Sequence, residues 1–321
     1  MKRGLPEQLQ FMANRRAPQK TCADSMQGKV CVVTGSTSGV GLQAALRLAA
    51  GGAHIVMVCR DRAKAKKVRE GILALHGVRV DIVVADFGDL AEVRRAAAAL
   101  LENHPRIHVL VNSVGLHSTT RTTTREGFER VFCVNHLASF LLTSLLLERL
   151  RQSAPSRIIQ VNSEGHRFSD VDLEDLGWQR RHYTGLRSYG ASKTAQLLTV
   201  WEFADRLKGT GVTINAMHPG DVRTNIGNNN GLAYRLFKRV FIWPFLKDPV
   251  ISGEALYYLA ASRELDDVSG RFFHLTIQEK PASHALDRRK GRLVWELSRK
   301  LTGLAAWDPE GSRGGAGPTA S

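Results

Sequence analysis

The feature that most constrains the fold of this chain is the regular alternation of short apolar runs with longer helical patterns. Five runs rich in β-branched residues, each followed by a helical stretch, lie between residues 29 and 163, and a sixth lies at 212–220. Strands that alternate with helices favour βαβ crossovers and a parallel sheet covered on both faces. Runs as apolar as 53–60 and 107–115 suit strands that are buried on both faces. With a further run at 270–275, we predict a doubly wound α/β domain with a mostly parallel, seven-stranded sheet.

The two ends of the chain differ in composition from the region between them. Residues 1–27 are polar, and 308–321 read DPEGSRGGAGPTAS, which is typical of disorder. We therefore expect a polar leader at 1–27, one folded domain at 28–307 and a disordered tail. The opening MKRGLPEQLQ lacks the apolar core of a secretory signal. Because no apolar run reaches the roughly 18 residues that span a bilayer, we predict a cytoplasmic protein.

The charge and the metal-binding residue types exclude several classes of function. Lys and Arg number 45 against 30 Asp and Glu, giving +15, but the basic residues are scattered and follow no zinc-finger, RNP or basic-zipper pattern. We therefore expect no nucleic-acid partner. The sequence contains no HExxH motif, so we predict no metal site. The four cysteines form no CxxC pair and indicate small core residues in a reducing compartment: Cys22, Cys31, Cys59 and Cys133.

A glycine-rich loop, TGSTSGVG at 34–41, follows the first strand and opens the first helix. Glycines there allow a tight turn and a close approach to a pyrophosphate, while the helix N-terminus offers free N–H groups. The spacing is TGxxxGxG and lacks the Gly-Lys-Ser/Thr of nucleoside triphosphate loops. The loop makes the predicted domain a Rossmann-type dinucleotide-binding domain, in which the expected cofactor contacts are Gly35, Ser36, Ser38, Gly39, Val40 and Gly41.

The end of the second strand bears on which dinucleotide is bound. An acid there would bond the ribose 2′-hydroxyl of NAD, but this position holds Cys59 and is followed by Arg60. A guanidinium suits the 2′-phosphate of NADP(H), which we predict as the cofactor. Asp61 opposes this interpretation if its side chain turns inward. The alternative is that Arg60 is an exposed residue that starts a basic helix.

A tyrosine and a lysine, Tyr189 and Lys193, stand four residues apart in the stretch SYGASKTAQLL. Residues at this spacing are neighbours on a helix surface. Such a pair is most often a half-buried ring beside a solvated charge. The other motifs of the chain favour a catalytic pair.

Taken in order, these motifs resemble the short-chain dehydrogenase/reductase family over roughly residues 29–275. The similarity is greatest to the retinol dehydrogenase and protochlorophyllide reductase-like branch, because of VCRD after the second strand, the long loop at 163–189 and the C-terminal HLTIQEKPASHALD. Ser113 and Val114 depart from the family's NNAG motif. Beyond the loop, the matching positions are Asp86, Phe87, Asn112, Gly115, Asn135, Ser163, Tyr189, Lys193, Pro219, Gly220, Val222 and Thr224.

The resemblance implies an NADP(H)-dependent oxidoreductase that interconverts a hydrophobic alcohol and its aldehyde or ketone by hydride transfer. Tyr189 would be the general acid or base. Lys193 would lower the pKa of that phenol and bond the nicotinamide ribose. Ser163 would hold the substrate oxygen, and Asn135 a water that links Lys193 to solvent. The remaining matched positions would bind the cofactor.

Three interpretations stay open for the segment at 226–249, IGNNNGLAYRLFKRVFIWPFLKDP, which has apolar and basic residues at helical spacing. It is a lid over a bulky apolar substrate, an interfacial helix that contacts a membrane periphery, or an ordinary amphipathic helix. A homodimer is also open. The rival function is a non-catalytic NADP(H)-binding sensor or scaffold.

Overall fold

A computed structural model describes residue 14, residues 17–222, residue 230 and residues 248–307. Its eight strands form one sheet in the order β3-β2-β1-β4-β5-β6-β7-β8. Neighbouring strands run parallel throughout, except for the antiparallel pair β7 and β8. The strands are β1 (Val30–Thr34), β2 (His54–Cys59), β3 (Val80–Val84), β4 (Val109–Asn112), β5 (Ser156–Val161), β6 (Val212–His218), β7 (Phe272–His274) and β8 (Ile277–Gln278).

Helices cover both faces of the sheet, as the alternation predicts. The apolar residues of each buried strand divide between the two faces, since successive side chains point to opposite sides. The helices are α1 (Gly39–Ala50), α2 (Arg62–His76), α3 (Leu90–Asn103), α4 (Arg130–Gln152), α5 (Gly185–Arg206), α6 (Val250–Ala261) and α7 (Arg288–Leu301). On β1, Val32 joins the core under α3, α4, α5 and α7, whereas Cys31 and Val33 join the core under α1, α2 and α6.

The sheet has one strand more than the seven predicted. Strand β8 is only two residues long and pairs antiparallel with β7 through His274 and Ile277. A two-residue strand is too short to show a period-2 pattern, so the sequence carries no signal for it.

Helix α4 is long and apolar enough to cross a membrane by length and composition, contrary to the expectation that no such segment exists. However, 83% of its apolar window is buried inside the fold. It therefore forms part of the protein core. The helix also contains a π-helical turn at Cys133–Leu137. Such turns insert an extra residue and often occur at functional sites.

Cys31, Cys59 and Cys133 are buried as predicted, whereas Cys22 is only partly buried, contrary to its prediction as a core residue. All four are free thiols. The proposed lid lies outside the described residues except for Asn230 and positions 248–249, and so does the tail at 308–321. Most of the leader at 1–27 is likewise outside them up to residue 16. The division into leader, domain and tail stays a prediction.

Candidate active site

The candidate site lies at the carboxyl ends of the central strands. The strand order reverses between β1 and β4, and ligands of doubly wound sheets bind in the crevice outside such a switch point. The glycine loop follows β1, the segment 112–115 follows β4, and Ser163 follows β5. Because parallel strands end at the same edge, these segments meet there.

The glycine loop has the geometry of a phosphate-binding turn. Gly35 and Gly39 have φ of 68° and 56°, in the left-handed region that favours glycine. A Cβ on Gly41 would stand 2.6 Å from the carbonyl oxygen of Gly35, so this approach admits no side chain. The hydroxyl of Ser36 is buried with no hydrogen-bond partner, and Ser38 begins α1 without a side-chain cap. The loop therefore offers an unpaired donor beside a free helix N-terminus, which fits a pyrophosphate.

Thr34, which the sequence reasoning did not single out, joins the glycine loop to the segment after β4. Its hydroxyl oxygen accepts hydrogen bonds from the main-chain N–H groups of Ser113 and Val114 at 2.9 and 3.2 Å. Asn112 donates from its side chain to the Thr143 hydroxyl at 2.8 Å, and its own amide oxygen is buried without a partner. These contacts are made by main chain and by Thr34, so the departure from NNAG at 113–114 leaves them intact.

Arg60 is exposed at the end of β2, and the Asp61 side chain is hydrogen-bonded within the next helix. The carboxylate of Asp61 caps α2 by accepting from the Lys64 N–H at 3.0 Å. This bond, with the Lys64 charge, lowers the pKa of Asp61. Burial raises the pKa of the Cys59 thiol to about 11, so Cys59 brings no negative charge at neutral pH.

Asp86 and Phe87 lie after β3 and differ in accessibility. The Asp86 carboxylate accepts from the Gly88 N–H at 2.8 Å and lies 3.8 Å from the guanidinium of Arg130. Phe87 is only 4% exposed and belongs to the core. An adenine bound here is therefore better placed to contact the accessible Asp86 side chain than the buried ring of Phe87.

Tyr189, Ser163 and Lys193 come together as the sequence predicts. The Ser163 hydroxyl lies close enough to the Tyr189 phenol to lower its pKa. The ring of Tyr189 packs on Gly165, where an added Cβ would meet it at 2.8 Å. Ser163 also accepts from the Gly165 N–H at 3.0 Å, which holds its side chain at the start of a 3₁₀ turn.

Lys193 is buried behind the tyrosine and held within the protein. Its Nζ donates to the main-chain oxygen of Val161 and to the side-chain oxygen of Gln196, both at 3.0 Å. The same nitrogen is 5.6 Å from the centre of the Tyr189 ring. The lysine therefore stands beside the phenol without bonding to it directly.

Burial dominates the protonation of this pair. It lowers the pKa of Lys193 to about 7. It also raises the pKa of Tyr189 to about 12, while the Ser163 hydroxyl opposes that rise. Desolvation is the larger cause for the phenol. The expectation that Lys193 lowers the pKa of the phenol stays a prediction.

Asn135 lies within the π-helical turn of α4. Its side chain accepts from the Leu116 N–H at 2.7 Å and donates to the Leu116 carbonyl and to the Ser192 hydroxyl. Its main-chain oxygen accepts from the side-chain nitrogen of Gln196. The side chain thus fastens the segment after β4 to α4 and α5. The main-chain carbonyl of Asn135 is connected to Lys193 by the Gln196 side chain, which bonds to both.

The segment after β6 closes the site on one side. The main-chain oxygen of Pro219 accepts from the Ser252 hydroxyl at 2.6 Å, and Gly220 has φ of 80°. Val222 is buried against α6, and Thr224 lies outside the described residues. The first three predicted members of this segment are therefore at the same edge of the sheet as Ser163.

The sequence reasoning also missed His117, which lies beside the phenol. Its ring and that of Tyr189 meet edge to face, with centroids 5.8 Å apart. The segment carrying His117 is held by Asn230, whose side-chain oxygen accepts from the Thr119 N–H at 2.7 Å. A lone histidine outside any motif gives no sequence signal. Only the fold brings it to Tyr189.

A buried ionic cluster lies directly behind Ser163. Arg167 bonds to the carboxylates of Glu164 and Glu279, and His274 Nδ1 lies 3.7 and 3.8 Å from those two groups. One oxygen of Glu164 and one nitrogen each of His218 and His274 lie within 4.8 Å of one another, close enough to hold a metal ion. The predicted lack of a metal site therefore stays a prediction.

Comparison with known proteins agrees with this geometry. The family model for short chain dehydrogenases matches residues 29–234. Human retinol dehydrogenase 13 is 40% identical over 290 residues, which cover 88% of this chain and 87% of that protein. The chain belongs to the short-chain dehydrogenase family.

Two further relatives support a position in the retinol dehydrogenase-like branch. Mouse retinol dehydrogenase 14 is 39% identical over 87% of each chain. Bovine dehydrogenase/reductase SDR family member 13 is 38% identical over 90% of this chain and 77% of its own. The family and branch predicted from the motifs are therefore confirmed.

Solved structures confirm the fold class of this short-chain dehydrogenase. An uncharacterized protein from Mycobacterium paratuberculosis matches with a TM-score of 0.73 and 28% identity, covering 89% of this chain and 98% of that one. A short-chain dehydrogenase from Burkholderia cenocepacia, solved in complex with NADP, matches with a TM-score of 0.62 and 24% identity, covering 78% and 97%. As a family member, this short-chain dehydrogenase is an oxidoreductase that uses a nicotinamide cofactor.

Proposed function

We propose that this short-chain dehydrogenase interconverts a hydrophobic alcohol and its aldehyde or ketone with NADP(H). The observation that carries the proposal is the Tyr189 phenol, which lies beside the Ser163 hydroxyl and the buried Lys193. The group lies at the same sheet edge as the glycine loop. A nicotinamide cofactor bound there supplies or accepts the hydride.

In this proposal the chain's own residues orient the substrate and move one proton. Ser163 donates a hydrogen bond to the carbonyl oxygen, and Tyr189 gives its phenolic proton to the same oxygen. Because burial holds the pKa of Tyr189 at about 12, the phenol is protonated at neutral pH and suits carbonyl reduction. Alcohol oxidation needs the phenolate and should therefore improve as the pH rises.

The preference for NADP(H) rests on the end of β2. Arg60 is exposed and available, whereas the carboxylate of the adjacent Asp61 caps α2. Cys59 neither repels a 2′-phosphate nor bonds a free 2′-hydroxyl. An arginine fork can bond two phosphate oxygens, which favours the phosphorylated cofactor.

A lipophilic substrate is supported by the relatives, several of which are named retinol dehydrogenases. The apolar segment at 226–249, proposed as a lid, lies almost wholly outside the described residues. Its Asn230, however, is bonded to Thr119 and His117 next to Tyr189. Asn230 therefore borders the proposed site. A membrane-periphery contact, a cytoplasmic location and a homodimer stay predictions.

The test is NADPH oxidation by the full chain with a panel of apolar aldehydes and ketones. Tyr189→Phe removes the proton donor and should lower the rate at least about 10²-fold, with little change in NADPH affinity. Tyr183→Phe is the matched control, since that phenol bonds to Ser118 and Glu129 outside the proposed proton path. It should keep near wild-type rates.

Equal rates for wild type and Tyr189→Phe on a good substrate would refute the mechanism. If both bind NADPH and neither turns over any carbonyl compound, the protein is better described as a non-catalytic NADP(H)-binding sensor or scaffold.

A further inference from the structure

A buried chain of hydrogen bonds joins Lys193 to the π-helical turn through one side chain, Gln196. Lys193 Nζ donates to Gln196 Oε1 at 3.0 Å. Gln196 Nε2 donates in turn to the main-chain oxygen of Asn135, in a short bond. Gln196 lies three residues after the lysine on α5 and is 1% exposed. One planar carboxamide therefore accepts from the ammonium and donates to the carbonyl of Asn135.

The orientation of this carboxamide is determined by its partners. Asn162 Nδ2 donates to the same Gln196 oxygen at 3.1 Å and to the main-chain oxygen of Lys193 at 2.9 Å. The reversed orientation would place the amide nitrogen against two donors and the oxygen against a carbonyl. A glutamine has one acceptor and one donor at its tip, which matches these neighbours only in the observed orientation.

We propose that Gln196 is a positioning residue for the reaction proposed above: it holds the ammonium of Lys193 beside Tyr189 and couples it to the π turn that carries Asn135. The inference rests on that proposed function for its catalytic meaning. The family resemblance implies that Asn135 holds a water that links Lys193 to solvent. The Gln196 side chain adds a direct link from Lys193 to the main-chain oxygen of Asn135. An ammonium has three donors, and among the described residues two are bonded, so one is available to a cofactor or substrate oxygen.

Besides the polar contact of Gln196, few charged groups bear on the pKa of Lys193. Burial is the cause that lowers the pKa of Lys193, to about 7. On its own helix the nearby titratable group is Tyr189. The 3₁₀ turn packed against α5 carries Glu164, His166 and Arg167, of which Glu164 and Arg167 are paired with each other. The acceptor of Gln196 stabilises the charged amine, so changing it should move the lysine titration.

The test uses four variants of the full chain. Gln196→Met removes both bonds at similar volume, and Gln196→Glu keeps the acceptor and adds a charge. The control is Gln160→Met, the same change at a buried glutamine of β5 whose amide nitrogen has no partner. Lysine-selective ¹³C NMR, with Lys193→Met to assign the resonance, follows the titration of the amine directly.

We expect Gln196→Met to lower the pKa of Lys193, and Gln196→Glu to raise it, each by about 1 pH unit. The control should leave it unchanged. In kinetics with NADPH, Gln196→Met should lower kcat about 10-fold with little change in the KM of the carbonyl substrate, since Gln196 does not reach the substrate. The pH profile of kcat should shift in opposite directions in the two variants.

An identical lysine titration in all the Gln196 and Gln160 proteins overturns the proposal. So does a shifted titration with wild-type kcat in Gln196→Met, because the glutamine would then hold the lysine without affecting the reaction. Failure of the proposed function is distinguishable, since it appears as a wild type without turnover. The NMR titration still decides whether Gln196 controls Lys193.

Discussion

The cofactor preference should reverse when Cys59→Asp is combined with Arg60→Ala. The double change removes the proposed ligand of the 2′-phosphate and places a carboxylate at the end of β2, where it can bond a ribose 2′-hydroxyl. In the wild type, a hydrogen bond from Arg60 to a charged phosphate contributes about 1.5–3 kcal/mol. We therefore expect NADPH to be preferred over NADH by about 10- to 100-fold in kcat/KM.

Two neighbouring variants separate this effect from general changes in charge or stability. Arg62→Ala removes an exposed arginine from the start of α2 and should leave the preference unchanged. Asp61→Ala removes the cap of that helix, which should cost about 1 kcal/mol of stability without altering the preference. The assay is kcat/KM for both cofactors with one carbonyl substrate. A wild type that uses both cofactors equally, or a double variant with unchanged preference, would refute the role of Arg60.

Three further results are expected. Gly41→Ala should weaken NADPH binding about 10-fold, because its Cβ would stand 2.6 Å from the Gly35 oxygen, whereas Gly71→Ala, with open space around it, should bind normally in the same titration. Amide hydrogen exchange at 226–247 should slow when cofactor and an inhibitor are bound together, and unchanged exchange would exclude a lid. Burial lowers the pKa of His136 from 6.5 to about 3, so between these values the unfolded chain binds a proton that the folded chain does not, and the free energy of unfolding falls as the pH drops. In denaturant titrations, lowering the pH from neutral to 5 should therefore reduce the free energy of unfolding by about 2 kcal/mol more in wild type than in His136→Leu.

Much of the fold was predictable because its signals are local and repeated. The apolar runs are long enough to indicate strands buried on both faces, and the glycine loop is recognisable because it stands between a strand and a helix. The catalytic pair, Tyr189 and Lys193, is predictable from its helical spacing together with the neighbouring motifs. Strand β8 carried no such signal, because two residues cannot show a period.

The missed parts of the site depend on contacts between distant segments. Thr34 holds residues 113–114 across a strand pair, and Gln196 reaches Asn135 across two helices. Neither contact has a spacing that a sequence shows. The π turn at Asn135 adds one residue to an otherwise ordinary helical pattern, and its position is visible only in the backbone.

The burial of the catalytic pair also depends on contacts between distant segments. The resemblance implies that the ammonium of Lys193 lowers the pKa of the Tyr189 phenol, and this stays a prediction. The fold buries both groups, and desolvation raises the pKa of an acid that becomes charged on deprotonation while lowering that of an amine. Burial of this extent depends on the packing of α5 against the rest of the domain, which one segment of sequence does not show.

The central claim is that this chain transfers a hydride to a carbonyl carbon while Tyr189 supplies the proton. The most direct measurement is mass spectrometry of the alcohol formed from an apolar aldehyde with NADPH carrying deuterium at the transferable C4 position. Wild type should place one deuterium on the former carbonyl carbon, and Tyr189→Phe should form that product at least about 10²-fold more slowly while binding NADPH normally. No deuterated alcohol from the wild type, or equal amounts from both proteins, would contradict the account.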